Sequence, residues 1–402
     1  MKTLMINEAN LPEAAELLRA GELVAVPTET VYGLACSGLD ESAVEAVYEV
    51  KGRPAVKPLS LMVPDAGSMD RYCDDIPAQA RALAERFWPG PLTIVMKAKD
   101  CVPDIVRAGG KTVGLRCPDH ALTLRLLQEA GVPFAAPSAN PSGEPSPKTA
   151  GDVARYFDGK IAAIVDGGPC GLGTESTLLD MSRTPYHVLR QGALPEETIA
   201  SALAEDLTLI GITGPSGSGK TSALREIAQQ GGLVLDCDEV YHELLDTDIG
   251  LLKELDTAFP GTVTDGRLNR RALGRIVFSD HDALAQLNAI THRHVMNEVE
   301  RRLRGWAMQG ETLAAVDAIE LLSSGLGDRC TATVAVLADR ETRIGRIMAR
   351  DGLSREDAER RVNAQREDAY FVEHCDYSLY NNGDQSSFLT KFKELLKEIR
   401  HE

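Results

Sequence analysis

Short apolar runs alternate with amphipathic stretches along the whole chain. Residues 11–20 repeat apolar side chains at helical spacing and stop at Gly21, and residues 23–26 follow as a short apolar strand ended by Pro27. The alternation continues with a helix over residues 42–50 and strands over 59–63 and 113–116. In the second half Leu207, Leu209, Ile210 and Ile212 read as a buried strand and residues 222–230 as a helix. Residues 233–238 form a strand closing on the acids Asp236 and Asp238, and 239–310 are mostly helical around a turn at 265–268. Further strands fall at 313–316, ending at Asp317, and at 331–338. Strands and helices in this rotation predict an α/β fold.

At 402 residues the chain is too long for one ordinary core. A glycine-rich loop at mid-chain favours two domains, over residues 1–200 and 207–402, with 201–206 as a short linker inside an acidic helical stretch. No apolar run approaches the ~18 residues of a membrane helix, and acids near the N-terminus stand where a signal peptide needs apolar residues, so a cytoplasmic location is expected. The net charge of -17 divides evenly, -9 before residue 207 and -8 after it. Neither half is a basic nucleic-acid clamp, so any tRNA contact is at most weak and local. Eight scattered cysteines without a C-x-x-C pair read as reduced thiols, and His292 and His294 read as a surface or helix pair with no metal-site spacing.

The chemistry is densest at residues 214–221, GPSGSGKT, which fit the pattern G-x-x-x-x-G-K-[ST] between a predicted strand and a predicted helix. That order aims backbone N–H groups and the positive end of a helix at one point, where phosphate oxygens can sit. Gly214, Gly217 and Gly219 let the backbone curl; Lys220 reaches the β and γ phosphates, and Thr221 is placed to ligate Mg²⁺. Ser216, Ser218 and Ser222 complete the loop. The strand ending at Asp317 has the pattern of an acid that holds Mg²⁺ through water. Arg343, Arg346 and Arg350 lie three and four residues apart, on one face of a predicted helix at 342–351, either as a solvated basic face or as a lid over ATP.

In the first half, residues 27–34, PTETVYGL, put hydroxyls and a phenol at a strand end, where α/β folds tend to bind ligands. Lys51, Arg53 and Lys57 form a basic loop interrupted by Gly and Pro, suited to a polyphosphate. Strands ending on Arg116, and on Ser138 and Asn140, point at the same site.

These residues carry a resemblance. With KGRP at 51–54, KPLS at 57–60, FWPGPLT at 87–93, VGLRCP at 113–118, APSAN at 136–140, GTEST at 173–177 and LRQGAL at 189–194, residues 11–194 resemble the YrdC/Sua5 family of L-threonylcarbamoyladenylate synthases in its short form. The resemblance implies a twisted α/β fold around an open cavity. It also implies a reaction in which L-threonine and bicarbonate form a carbamate that attacks the α-phosphate of ATP and releases pyrophosphate, upstream of a tRNA threonylcarbamoyltransferase complex. The family's Lys-x-Arg and Ser-x-Asn tetrad falls on Lys51, Arg53, Ser138 and Asn140, with Lys51 and Arg53 expected to be catalytic. Lys57 and Arg190 join these four on ATP, while Thr30, Tyr32, Arg116 and Ser176 are expected to hold threonine. Two departures stand out: Met62 occupies a position where many relatives have histidine, and Gln191 replaces the usual proline after the arginine.

Residues 207–400 resemble dephospho-CoA kinase, on GITGPSGSGKT at 211–221, LDCDEVYHEL at 235–244, DGRLNRRALGRIVF at 265–278, LNAITH at 287–292, DAIELLSSGL at 317–326, RIMARDGLS at 346–354, RVNAQ at 361–365 and CDYSLYNNG at 375–383. This implies a parallel P-loop sheet with a helical substrate domain and a lid, passing the ATP γ-phosphoryl to the ribose 3′-hydroxyl of dephospho-CoA. Asp238 matches the acid expected to take the hydroxyl proton, and Asp236 would support it or the metal. Lys220 is catalytic in this reading, Arg346 and Arg350 join the loop on ATP, and His242, Arg270 and His292 join Asp238 on dephospho-CoA. Asn269 stands for the usual Asp, Arg293 for a proline, and Ile319 and Ser323 for the Pro and Glu of the usual P-L-L-F-E run.

Two other readings remain open at this level. The first half could be an RNA- or adenylate-binding module without synthase activity, and the second a P-loop kinase for another small molecule.

Overall fold

The computed structural model describes residues 2–318, 321–322 and 325–401. The chain divides into two compact units, Met1–Leu203 with Met308–Gly310, and Ala204–Ala307 with Glu311–Glu402. A helix spans Glu196–Glu205.

The first unit is built on one mixed sheet. From one edge its strands run Leu4–Ile6, Ala163–Val165, Val24–Val26, Gly33–Ser37, Phe134–Ala135, Ser60–Met62, Thr112–Arg116, Leu92–Ala98, Thr177–Asp180 and His187–Arg190, with Cys73–Asp74 paired beside Leu92–Ala98. The predicted helix over 11–20 is observed at Leu11–Arg19 and buries Leu11, Ala14, Ala15 and Leu18. That spacing sets one apolar stripe against Val24, Val26, Phe134 and Val165. The helix Glu41–Lys51 starts on an Asp40 side chain that accepts the Ser42 and Ala43 amides, and it stops at Gly52 in the left-handed region (φ 58°). This stop brings Lys51 to the last turn of the helix, directly before the basic loop.

The second unit is a five-stranded parallel sheet in the order Leu233–Asp236, Leu313–Asp317, Thr208–Thr213, Ala332–Leu337, Tyr377–Tyr380. Ile210, Ile212, Val334 and Val336 form its core with Ile227 of the helix Lys220–Gln229. The helix Gln385–Arg400 adds Phe388, Phe392, Leu395, Leu396 and Ile399, one stripe at helical spacing. All strands of a parallel sheet end on one side, so Thr213, Asp236 and Asp317 close on the same edge, the usual ligand position in such sheets. The helical stretch after Asp236 contains Cys237–Thr247, Ile249–Ala258, Arg270–Val277 and His281–Met308. Between the last two strands of the sheet lie the helices Arg340–Asp351, Arg355–Asn363 and Asp368–His374.

Two of the sequence departures have a local explanation. Asn269 is the N-cap of Arg270–Val277, and its side-chain oxygen accepts the Ala272 amide, a contact that needs an oxygen and no charge. Arg293 sits inside the unbroken helix His281–Met308 and pairs with Glu254. A proline there would remove one helical hydrogen bond. Ile319 and Ser323 lie outside the described residues.

Candidate active sites

The first unit holds a cavity of about 260 Å³ where Arg53, Arg116 and Arg190 converge with Thr30, Ser60, Thr93, Ser138 and Ser176 over an apolar wall that includes Val31, Met62 and Leu178. Arg116 ends its strand buried, donating from Nη2 to Glu29 Oε1 at 2.7 Å and to Thr30 Oγ1 at 2.9 Å, and from Nε to the Gly90 carbonyl. Glu29 accepts the Asp119 amide as well. Arg190 lies on the Ser176 carbonyl through Nε and Nη2, and its Nη1 pairs with Glu175. Thr93 and Ser176 share a hydroxyl hydrogen bond of 2.8 Å.

The tetrad is divided between the cavity lining and the structure behind it. Lys51 is buried, and its ammonium donates to the main-chain carbonyls of Ser138 and Asn140. Burial first, then Arg53, pulls its pKa down to about 8, while Glu175 acts in the opposite direction. Arg53 and Ser138 line the cavity; Lys51, Lys57 and Asn140 do not. The Asn140 amide donates to the Pro141 and Glu144 carbonyls, and its buried Oδ1 has no partner. Tyr32 also lies outside the lining: it is fully buried, donates to the Gly168 carbonyl and accepts the Gly167 amide. Burial raises its pKa to about 12. Its hydroxyl, expected on threonine, here holds the 167–168 turn. Met62, nearly buried, lines the apolar wall with its Cε 3.3 Å from where a side chain on Gly33 would begin.

The second unit holds a larger cavity, about 730 Å³, along the phosphate loop from Gly214 to Thr221. Gly214, Gly217 and Gly219 adopt φ of 134°, 80° and 100°, open to glycine and costly for other residues. Lys220 starts the helix that follows, and its ammonium donates to the Gly214 carbonyl at 3.1 Å. Asp236, Asp238 and Asp317 line the same cavity. Asp236 also caps the helix Cys237–Thr247, its Oδ1 accepting the Asp238 and Glu239 amides. Burial, then Asp236, raises the pKa of Asp238, and burial lifts Asp317 to about 6 against the pull of Lys220. Among the described residues no three His, Cys, Asp or Glu side chains converge to hold a metal ion unaided.

The predicted arginine face is not a solvated stripe: it is turned to the phosphate loop and its cavity. Arg343 is buried, donating to the Ser216 carbonyl and to Gln365, whose side-chain oxygen also accepts the Ser216 amide. Arg346 spends its guanidinium on the carbonyls of Gly217, Ser218 and Asn381. Both brace the loop, Arg343 from behind it and Arg346 while also lining the cavity. Arg350 pairs with Asp351 and lines the cavity, together with Arg361, Arg366 and Tyr370. Ser222, His242, Arg270 and His292 lie outside that lining. Sequence reasoning did not single out Glu29, Thr93, Glu175, Asn381, Gln365, Arg361, Arg366 or Tyr370. Glu29 and Glu175 sit inside quoted motifs, so the signal there was an acid beside hydroxyls in a site built of cations.

These two units define a two-domain α/β protein with an arginine-lined cavity in the first unit and a P-loop site in the second. Residues 16–192 match the family Sua5/YciO/YrdC, described as telomere recombination, and residues 208–387 match the family described as dephospho-CoA kinase. The chain belongs to the Sua5/YrdC family through its first half, which is followed by a domain matching the dephospho-CoA kinase family model. Its first half is 46% identical over 200 residues to the threonylcarbamoyl-AMP synthase of Pyrococcus abyssi, covering 50% of this chain and 59% of that protein. It is 45% identical over 201 residues to that of Bacillus subtilis, covering 50% and 58%. It is 37% identical over 194 residues to a putative threonylcarbamoyl-AMP synthase of Mycobacterium tuberculosis, covering 48% and 88%. The chain thus spans a little under three fifths of the first two relatives. No helix among the described residues is long and apolar enough to cross a membrane.

Proposed function

We propose that the chain is a bifunctional enzyme: residues 1–200 make L-threonylcarbamoyl-AMP and pyrophosphate from L-threonine, bicarbonate and ATP, and residues 207–402 phosphorylate dephospho-CoA to CoA, with 201–206 as the join. The observation that carries this reading is the pair of separate phosphate-type sites, Arg53 and Arg190 in one unit and the loop of Lys220 in the other. The names of the relatives support threonylcarbamoyl-AMP synthesis in the first unit, and the match to the kinase family supports the second.

In the first unit Arg116 and the hydroxyls of Thr30 and Ser176 would fix threonine, and Arg53 and Arg190 the triphosphate, with preorganised cations stabilising charge as pyrophosphate departs. Buried Lys51 would act through the strand end it braces, by shaping the turn at Ser138 and Asn140. In the second unit Lys220 would neutralise the β and γ phosphates. Asp238, its pKa raised, would orient and deprotonate the 3′-hydroxyl. Thr221, Asp236 and Asp317 offer hard oxygen donors beside the loop, a set that fits Mg²⁺ shared with phosphate and water. Mg²⁺ held there would supply positive charge to the phosphate oxygens. The free cysteines support a reducing, cytoplasmic setting, and the product of the first unit would be consumed by a tRNA-modifying transferase.

The test is nucleotide occupancy and product formation on the intact chain. Two ATP sites are expected, with threonine- and bicarbonate-dependent pyrophosphate release from one and dephospho-CoA-dependent ADP release from the other. ATP binding without pyrophosphate release would favour a binding module in the first unit. A substrate panel without preference for dephospho-CoA would favour a different kinase.

A further inference from the structure

Three guanidinium groups face the first cavity, Arg53, Arg116 and Arg190, and the acids nearest to them differ in kind. Glu29, against Arg116, lies outside the lining, is mostly buried, and uses both oxygens on protein donors, Arg116 Nη2 and the Asp119 amide. It is part of the wall. Glu175 lines the cavity itself, with a third of its side chain exposed (34%), and is the one acid among the described lining residues.

The Glu175 backbone is fixed: its carbonyl accepts the Ala193 amide at 2.9 Å, and a side chain on Gly192 would start 2.3 Å from the same oxygen. Among the described residues the carboxylate is held by side chains, Arg190 Nη1 and the Ser146 hydroxyl at 3.0 Å. Arg190 does not depend on Glu175 for its position, because Nε and Nη2 rest on the Ser176 carbonyl at 3.2 and 2.9 Å. A rotation of Glu175 alone would expose the Nη1 edge of an arginine that is already in place. Glu175 also opposes the mutual repulsion of Lys51 and Arg53.

From this geometry we propose that Glu175 is a resident counter-anion: it occupies Arg190 while the cavity is empty, gives way to the phosphate groups of the nucleotide, and returns to help expel pyrophosphate. It is a positioning residue, and the assignment deepens the synthase reading given above. A carboxylate competing for the same guanidinium edge weakens pyrophosphate binding and so favours product release.

The test is a double-mutant cycle on the full-length chain with inorganic pyrophosphate as the probe, its Kd measured by calorimetry. The proteins are the wild type, Glu175→Gln, Arg190→Ala and the double variant. Any pyrophosphate bound at the phosphate loop is common to all four and cancels. Glu175→Gln should tighten binding by about three- to fivefold, the scale of a partly exposed ion pair, and the same change in the Arg190→Ala background should alter it less than about twofold. Unchanged or weaker binding in Glu175→Gln overturns the proposal, as does an equal tightening without Arg190. Glu175→Asp, which keeps the charge, should bind as the wild type does, and thermal unfolding establishes that each variant is folded. Threonine-dependent pyrophosphate release by the wild type is measured alongside. Its absence would sink the synthase reading whatever the cycle shows, whereas a flat cycle with release intact would sink only the role of Glu175.

Discussion

Asp236 and Asp317 are direct partners at the ends of adjacent parallel strands, so two carboxylates meet across one rung of the sheet beside the phosphate loop. Asp317 is the more buried, and its pKa rises to about 6. A raised acid pKa stabilises the fold below the unfolded value near 4 and loses that contribution as pH climbs through 6. Asp317→Asn should therefore be more stable than the wild type at pH 7.5, on the order of 2 kcal/mol, with the difference fading towards pH 4. Urea unfolding across that range checks it; a gap independent of pH would show that ionisation of Asp317 is not the cause.

Lys220 and Lys51 should separate the two activities. The Lys220 head group donates to the Gly214 carbonyl and is not part of the core, so Lys220→Ala should leave the fold intact and cut kinase turnover by about 10² or more, while threonine-dependent pyrophosphate release stays near the wild-type rate. Lys51→Ala should give the reverse. Loss of both activities in folded Lys220→Ala would contradict two independent sites.

Buried Lys51, with a pKa of about 8, predicts an alkaline limb in the synthase rate. The charged form holds the carbonyls of Ser138 and Asn140, and its loss above about pH 8 should loosen that turn and lower kcat/KM. Lys51→Arg, which stays charged, should be slower overall but lack the limb. A wild-type profile flat to about pH 9.5 would count against this role.

Gly219 and Gly52 both have positive φ, yet they should respond differently to alanine. A Cβ at Gly219 (φ 100°) would stand 2.2 Å from Asn381 Nδ2, the group that donates to the Ser218 carbonyl; at Gly52 (φ 58°) nothing lies within 4 Å. Gly219→Ala should abolish ATP binding at the loop and destabilise its unit by about 1–3 kcal/mol. Gly52→Ala should cost about 1 kcal/mol, from backbone conformation alone. Equal unfolding midpoints for the two variants would refute the contrast.

The phosphate loop was legible in the sequence because its function is local: strand, glycines, lysine and helix follow each other within residues 208–229, and neighbouring φ/ψ values settle their geometry. The helix stop at Gly52 and the cap at Asn269 are set locally as well, by a left-handed glycine and by one side-chain oxygen. The strand ending at Asp317 was visible too, while its pairing with Asp236 depended on strand order.

Partners across the sheet were not readable. Arg116, expected on threonine, lines its cavity and also binds Glu29, 87 residues away in the chain; Arg346, expected on ATP, lines the other cavity and also binds the carbonyls that shape the loop. Tyr32 belongs to a motif whose spacing says nothing about whether its hydroxyl faces the cavity or the 167–168 turn. The α/β class, the two families and the residue types of each site could all be read along the chain. Which protein groups each cation also binds was settled by packing. A guanidinium takes whichever carboxylate or carbonyl the packed sheet brings within about 3 Å, and that choice is not encoded in its neighbours along the chain.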